Sequence, residues 1–211
     1  MIITKVIKQN NKNERYNVFI DDEYSFSASS EDILKYSIKS GLEITKEQLN
    51  SLIECCEVTK CYNYALFILG KKDYTEYEIS KKISDKGYSF TSISKTIEKL
   101  KLYDIINDER YVKKYINDCI YIKKYGRKKI EYNLQKKGIN PDLIKECFFD
   151  NNSDYEYENA LEILQKKIKY CKDEKNIRNK LIRHLLSKGF TYDIVKKAIS
   201  SLKIEDDGDL L

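Results

Sequence analysis

The residues best suited to chemistry are cations clustered in the middle of the sequence: Arg110, Lys123, Lys124, Arg127, Lys128, Lys129, Lys136 and Lys137, with Tyr115, Tyr121 and Tyr125 among them. Their chemistry is recognition of an anion. Residues 109–149 hold 11 Lys and Arg against 5 Asp and Glu, a surplus larger than the net +5 of the whole chain. Arg127, Lys128 and Lys129 fall in the first turn of a predicted helix behind Gly126, where positive charge opposes the macrodipole at about 0.3–1 kcal/mol each. In the matching segment 51 residues earlier, Glu76, Tyr77 and Glu78 follow Thr75 and obey that rule. A local rule broken at one site points to function, and free N–H groups behind a glycine cap suit an anion. That anion is a phosphate or an acidic protein face. Glutamate at 127–129 is therefore expected to abolish binding and spare folding, and the same change at Lys71, Lys72 and Lys95 to do much less.

Catalysis finds no support. The carboxylates form no pairing suited to acid–base work, and GxxxxGK[ST], HExxH and GxSxG sequences are missing. Six cysteines, at 55, 56, 61, 119, 147 and 171, include no CxxC, and the single His184 completes no zinc set. The expectation is a binding protein without metal or cofactor. Its cysteines read as reduced, half-buried thiols in the cytoplasm. No apolar run approaches the roughly 18 residues of a spanning helix, so neither export nor membrane insertion is expected.

The elements that position these residues follow from a repeat. Lys86-Gly87, Lys137-Gly138 and Lys188-Gly189 recur at intervals of 51 residues. Before each glycine stands an i, i+4 apolar pair, Ile79/Ile83, Ile130/Leu134 and Leu181/Leu185; after it come Ile93/Ile97, Ile144/Phe148 and Val195/Ile199. That spacing predicts two helices joined at a glycine C-cap. Ser89, Asn140 and Thr191 are placed to cap the second helix, with Pro141 at a first helical position. A leading apolar stripe precedes each pair, and in the third copy it begins about two turns earlier, which predicts a longer leading helix there. Ahead of the repeats, residues 2–8 and 15–20 alternate as strands, and 24–28 add a short third. A short helix from Ser29 or Ser30 through Ile38 to Gly41 comes next, then one capped by Thr45 and Gln48.

The fold class is thus mainly α: three tandem three-helix repeats behind a small antiparallel sheet. The divisions are 1–60 (sheet and helical lead-in), 61–107 (repeat 1), 108–152 (basic repeat 2) and 153–211 (repeat 3 with an acidic tail). Units near 50 residues bury little surface alone, so stacking should supply much of each core in an elongated molecule. Gly87, Gly126, Gly138 and Gly189 are the structural glycines.

Three segments resemble the RecX regulatory proteins, in the Gram-positive form with an N-terminal hairpin: RYNVFIDDEYSFSAS (15–29), ALFILGKKDYTEYEISKKISDKGYSFTSISKTIEKL (65–100) and NDERYVKKYINDCIYIKKYGRKKIEYNLQKKGI (107–139). The resemblance implies a monomer that binds in the groove of the RecA filament across more than one RecA subunit. It implies suppression of ATP hydrolysis and strand exchange in recombination, DNA repair and the SOS response, without catalysis of its own. Direct binding of single-stranded DNA or RNA is the alternative that the charge and tyrosines leave open.

Overall fold

The computed structural model describes residues 1–10, 14–149, 155–169 and 177–202. The chain divides into two compact units, Met1–Ile106 and Asn107–Leu211.

The first unit opens on an antiparallel sheet of β1 (Ile3–Lys8), β2 (Arg15–Ile20) and β3 (Glu23–Ser29), in that order. Residues 41–44 cover the outer edge of β1: the Ile3 N–H donates to the Leu42 carbonyl (2.9 Å) and the Gly41 N–H to the Ile3 carbonyl (2.8 Å). Helix α1 (Ser30–Lys35) is capped by a reciprocal Ser29–Asp32 box and stops at Lys35. The expected run through Ile38 fails because Ser37 turns left-handed (φ +51°), and Ile38 instead drops into the core beneath the sheet. The Thr45–Gln48 box opens α2 (Lys46–Leu69), 24 unbroken residues. Its first half packs Leu49, Leu52, Ile53 and Cys56 against Ile3, Val18 and Phe26 of the sheet, and its second half gives Cys61, Ala65 and Ile68 to repeat 1. One helix thus serves two cores. Helices α3 (Glu76–Ser84) and α4 (Phe90–Leu102) complete that repeat.

The second unit holds α5 (Asp108–Asn117), which passes into a π turn at Asp118–Ile122, then α6 (Arg127–Lys136) and α7 (Pro141–Phe149). Repeat 3 follows as α8 (Tyr155–Ile168), α9 (Ile177–Ser187) and α10 (Tyr192–Ser201). In every repeat the first helix packs on the third: α2 on α4, α5 on α7, α8 on α10. The earlier start of the third copy is real, but α8 is 14 residues long against 15 for α5 with its π turn, so the helix is shifted rather than lengthened.

The repeated glycines cap as the spacing predicts, with φ of +88° at Gly87, +79° at Gly138 and +91° at Gly189. In the second and third repeats the next N–H, of Ile139 or Phe190, reaches back to the carbonyl of Leu134 or Leu185, the Schellman pattern. All six residues of the i, i+4 pairs before the stops are buried. Of the second-helix caps, Ser89 and Asn140 use their side chains, whereas Thr191 holds the cap position without a side-chain bond. Each repeat encloses its own cluster of buried apolar residues, and Tyr155 of α8 packs against that of repeat 2. Cys56, Cys61, Cys119 and Cys147 form no disulfide and are buried rather than half-buried; Cys55 is half-buried. Burial pushes the thiols of Cys61 and Cys119 up, and that of Cys56 to about 12, which keeps them protonated and unreactive. Cys171 and the acidic tail lie outside the described residues.

Candidate functional site

Helix α6 starts behind Gly126, which has no side chain to cap it. The start is nonetheless occupied. The Arg127 N–H donates to the Glu156 carboxylate at 2.9 Å, from the first turn of α8. The expected free N–H group is therefore satisfied within the chain, and the anion it faces belongs to repeat 3. Burial pushes the Glu156 carboxyl up from its ordinary range, offset in part by the Arg127 N–H and then its guanidinium.

Gly126 is glycine for a second reason. A Cβ there would lie 2.5 Å from the Gly189 carbonyl oxygen and the Phe190 nitrogen, too close for any side chain. The Gly126 N–H donates to the Lys188 carbonyl at 3.0 Å. The backbones of repeats 2 and 3 meet at this point.

Three of the eight central cations, Lys124, Arg127 and Lys129, are engaged around that contact. Lys129 Nζ caps the C-terminal end of α9 through the Ser187 carbonyl (2.9 Å) and lies 4.7 Å from the Tyr125 ring centroid; Lys188 Nζ lies 5.0 Å from the same ring. Lys124, left-handed at φ +53°, pairs with Glu162 of α8 (2.9 Å). Lys166 first, then Lys124, hold the Glu162 carboxyl down at about 2. Arg127 pairs with Glu131 (2.7 Å) and lies over Phe148. The π turn adds one more tie: the Asn159 side chain, 5% exposed, donates to the Ile120 carbonyl at 2.8 Å, a group that the widened turn takes out of ordinary helical pairing.

The other candidates lie elsewhere. Tyr115 stacks on Tyr111 (6.1 Å, 12° between planes), with Lys123 over the first ring and Lys137 over the second. Burial, and then the Cys119 thiol, push the Tyr115 phenol up to about 12. Lys136 lies over Tyr132; Tyr121, Lys128 and Arg110 are exposed. Sequence reasoning missed Glu156, Asn159, Glu162, Lys188 and Tyr111. Only Tyr111, four residues before Tyr115, had a local signal. His184 is half-buried on α9, its imidazole held below the ordinary range by burial and then by Lys167.

Glu156 supports a direct prediction. Its folded state binds the proton more tightly than the unfolded chain does, so its contribution is fully present below the ordinary glutamate pKa and lost as pH rises through the raised folded value. Glu156→Gln keeps an acceptor without the charge, so its thermal midpoint should gain on the native protein as pH rises above the ordinary glutamate range. Glu156→Ala, which leaves the α6 start uncapped, should lose roughly 1–2 kcal/mol. Profiles of both variants that run parallel to that of the native protein across this pH range would discredit the assignment.

Among the described residues no three His, Cys, Asp or Glu side chains converge to hold a metal, and no helix is long and apolar enough to cross a membrane. The ten α-helices described, in tandem three-helix repeats, with a three-stranded sheet and a basic central repeat, define a helical-repeat protein. Its sequence matches the RecX N-terminal domain over residues 1–45 and the first, second and third RecX three-helix domains over 61–100, 107–147 and 154–199. It is 33% identical over 211 residues to the regulatory protein RecX of Clostridioides difficile (strain 630), covering 99% of both chains. To that of Clostridium botulinum (strain Alaska E43 / Type E3) it is 37% identical over 201 residues, covering 93% of this chain and 94% of the other. A crystal structure of a regulatory protein RecX shares the fold at TM-score 0.71 and 22% identity over 94% of this chain and 98% of that one. That of RecX from Lactobacillus salivarius gives 0.63 and 28% over 71% and 98%. The chain belongs to the RecX family of regulatory proteins.

Proposed function

We propose that this protein regulates the RecA recombinase by binding in the groove of the RecA–single-stranded DNA filament, where it suppresses ATP hydrolysis and strand exchange. It acts as a cytoplasmic monomer without cofactor or catalytic activity. The observation that carries this reading is the succession of all four RecX domains along one chain. Of the candidate partner-binding residues, those facing solvent without a role in the repeat 2–repeat 3 contact fit it best: Lys123, Lys128, Lys136 and Tyr121.

The test is a titration into RecA on single-stranded DNA, reading ATP hydrolysis and co-sedimentation with the filament. Inhibition with stoichiometric co-sedimentation is the expected result. Undiminished hydrolysis with all of the protein left in the supernatant would sink the reading.

A further inference from the structure

Repeat 1 carries a surface that its near-zero charge balance conceals. Positions 60, 64 and 67 form one stripe along α2, and Lys71 continues it just past the helix end. Along that stripe Lys71 Nζ lies 4.2 Å from the Phe67 ring centroid, Lys86 Nζ 6.0 Å from Tyr64 and Lys60 Nζ 5.9 Å from Tyr88. The Tyr64 and Tyr88 centroids are 6.0 Å apart. One helical turn before Lys86, Lys82 reaches Tyr74 (5.3 Å), and Lys72 lies 4.4 Å from the same ring.

Several of the carboxylates that balance these lysines on paper are engaged elsewhere, although Asp73 and Asp85 adjoin Lys72 and Lys86 in the chain. Glu76 pairs with Lys101, Glu54 with Lys95, Glu57 gives both oxygens to Ser89, and Glu78 closes the Thr75 box. Lys60, Lys71, Lys72, Lys82 and Lys86 are exposed and form no ion pair with any described residue. Phe67 is 62% exposed.

We propose that this face of repeat 1 binds single-stranded nucleic acid, the lysines taking phosphates and the rings stacking on bases. An acidic protein face would satisfy the charges alone. Four rings lie beside these cations, Phe67 exposed and without a hydrogen-bonding group, Tyr64, Tyr74 and Tyr88 half-buried against the repeat 1 core; this set matches a partner that presents π faces and negative charge together. The surface is separate from the central repeat and does not depend on the RecA reading.

The test uses the full chain without RecA and a fluorescein-labelled oligothymidylate, followed by anisotropy across a salt series. Lys71→Glu/Lys82→Glu/Lys86→Glu should weaken binding about tenfold or more and flatten the log–log salt slope by about 2, at roughly 0.7 for each phosphate no longer neutralised. Phe67→Ala should weaken it about fivefold or more with the slope unchanged, and Phe67→Tyr should restore it. Lys39→Glu/Lys46→Glu/Lys81→Glu, on other faces of the same unit, is the control and should retain affinity. Unchanged thermal midpoints accompany all of these, because the altered side chains are exposed. Equal loss in the control would reduce the surface to diffuse charge. A silent Phe67→Ala, with polyglutamate competing as well as unlabelled oligothymidylate, would assign it to acidic proteins. No binding by the native chain would end the proposal.

Discussion

Gly189→Ala should destabilise the second unit by about 3 kcal/mol, lowering its thermal midpoint by roughly 12 °C or more. Two costs combine there. At φ +91° an L side chain is strained by about 1–2 kcal/mol, and the new Cβ would lie 2.5 Å from the Lys129 nitrogen, an overlap worth a further 1–3 kcal/mol or so. Gly126→Ala should incur the overlap without the strain, because Gly126 has an ordinary φ of −75°. Gly87→Ala should show the strain without the overlap, since nothing lies within 4 Å of its Cβ position. Thermal or urea denaturation of the three variants should therefore rank Gly189 above the other two. Equal losses at Gly87 and Gly189 would mean that the close backbone approach contributes nothing.

Reversing Arg127, Lys128 and Lys129 to glutamate should lower the midpoint of the second unit by roughly 10 °C, or about 2 kcal/mol. The sequence alone predicts folding left intact or slightly strengthened, since glutamate suits a helix start. In the folded chain the change removes the Lys129 bond to the Ser187 carbonyl and the Arg127–Glu131 pair, and sets three carboxylates beside Glu156 and Glu131. Loss of RecA inhibition by this variant would therefore say nothing about a binding surface. Lys123→Glu/Lys128→Glu/Lys136→Glu separates the two effects. These side chains are exposed, so the midpoint should hold while the inhibition constant for RecA's DNA-dependent ATPase rises about tenfold, because attraction to an anionic partner becomes repulsion. Unchanged inhibition by that variant would remove the central repeat from the partner surface. A stable Arg127/Lys128/Lys129 variant would show that the contact with repeat 3 is incidental.

What the sequence could show was whatever is written within one turn or one repeat. The 51-residue spacing of Gly87, Gly138 and Gly189, the buried pairs before them and the Thr75 and Thr45 boxes are local patterns, and each has its counterpart in the fold. Gly126 was legible as a missing cap but not as a contact, because its reason, the Gly189 backbone, lies 63 residues away. The reversed charge rule at Arg127–Lys129 was legible, but the carboxylate that the helix start faces within the chain, Glu156 of α8, was not. Counting charges located the central surplus yet could not tell a lysine engaged with a carbonyl, such as Lys129, from an unpaired one, such as Lys71. The same blindness made Lys71 and Lys72 look like inert controls, although they border the exposed Phe67 ring and the half-buried Tyr74 ring of repeat 1.

The carboxylate of Glu156 at the start of α6 couples the first turn of that helix to the docking of α8. Repeat 1 carries its own cap in Thr75 and can close its second helix unaided, but α6 cannot hold its first turn until α8 has docked. The amide of Arg127 is thus a natural reporter. Its hydrogen-exchange protection measures how often α8 lifts away, and protection there should rise and fall with that of the Gly126 amide, which is bonded to α9's end. A truncation after residue 149 would leave Arg127, Lys128 and Lys129 at the start of α6 with the wrong charge for a helix start and only Glu131 of their own helix to balance them.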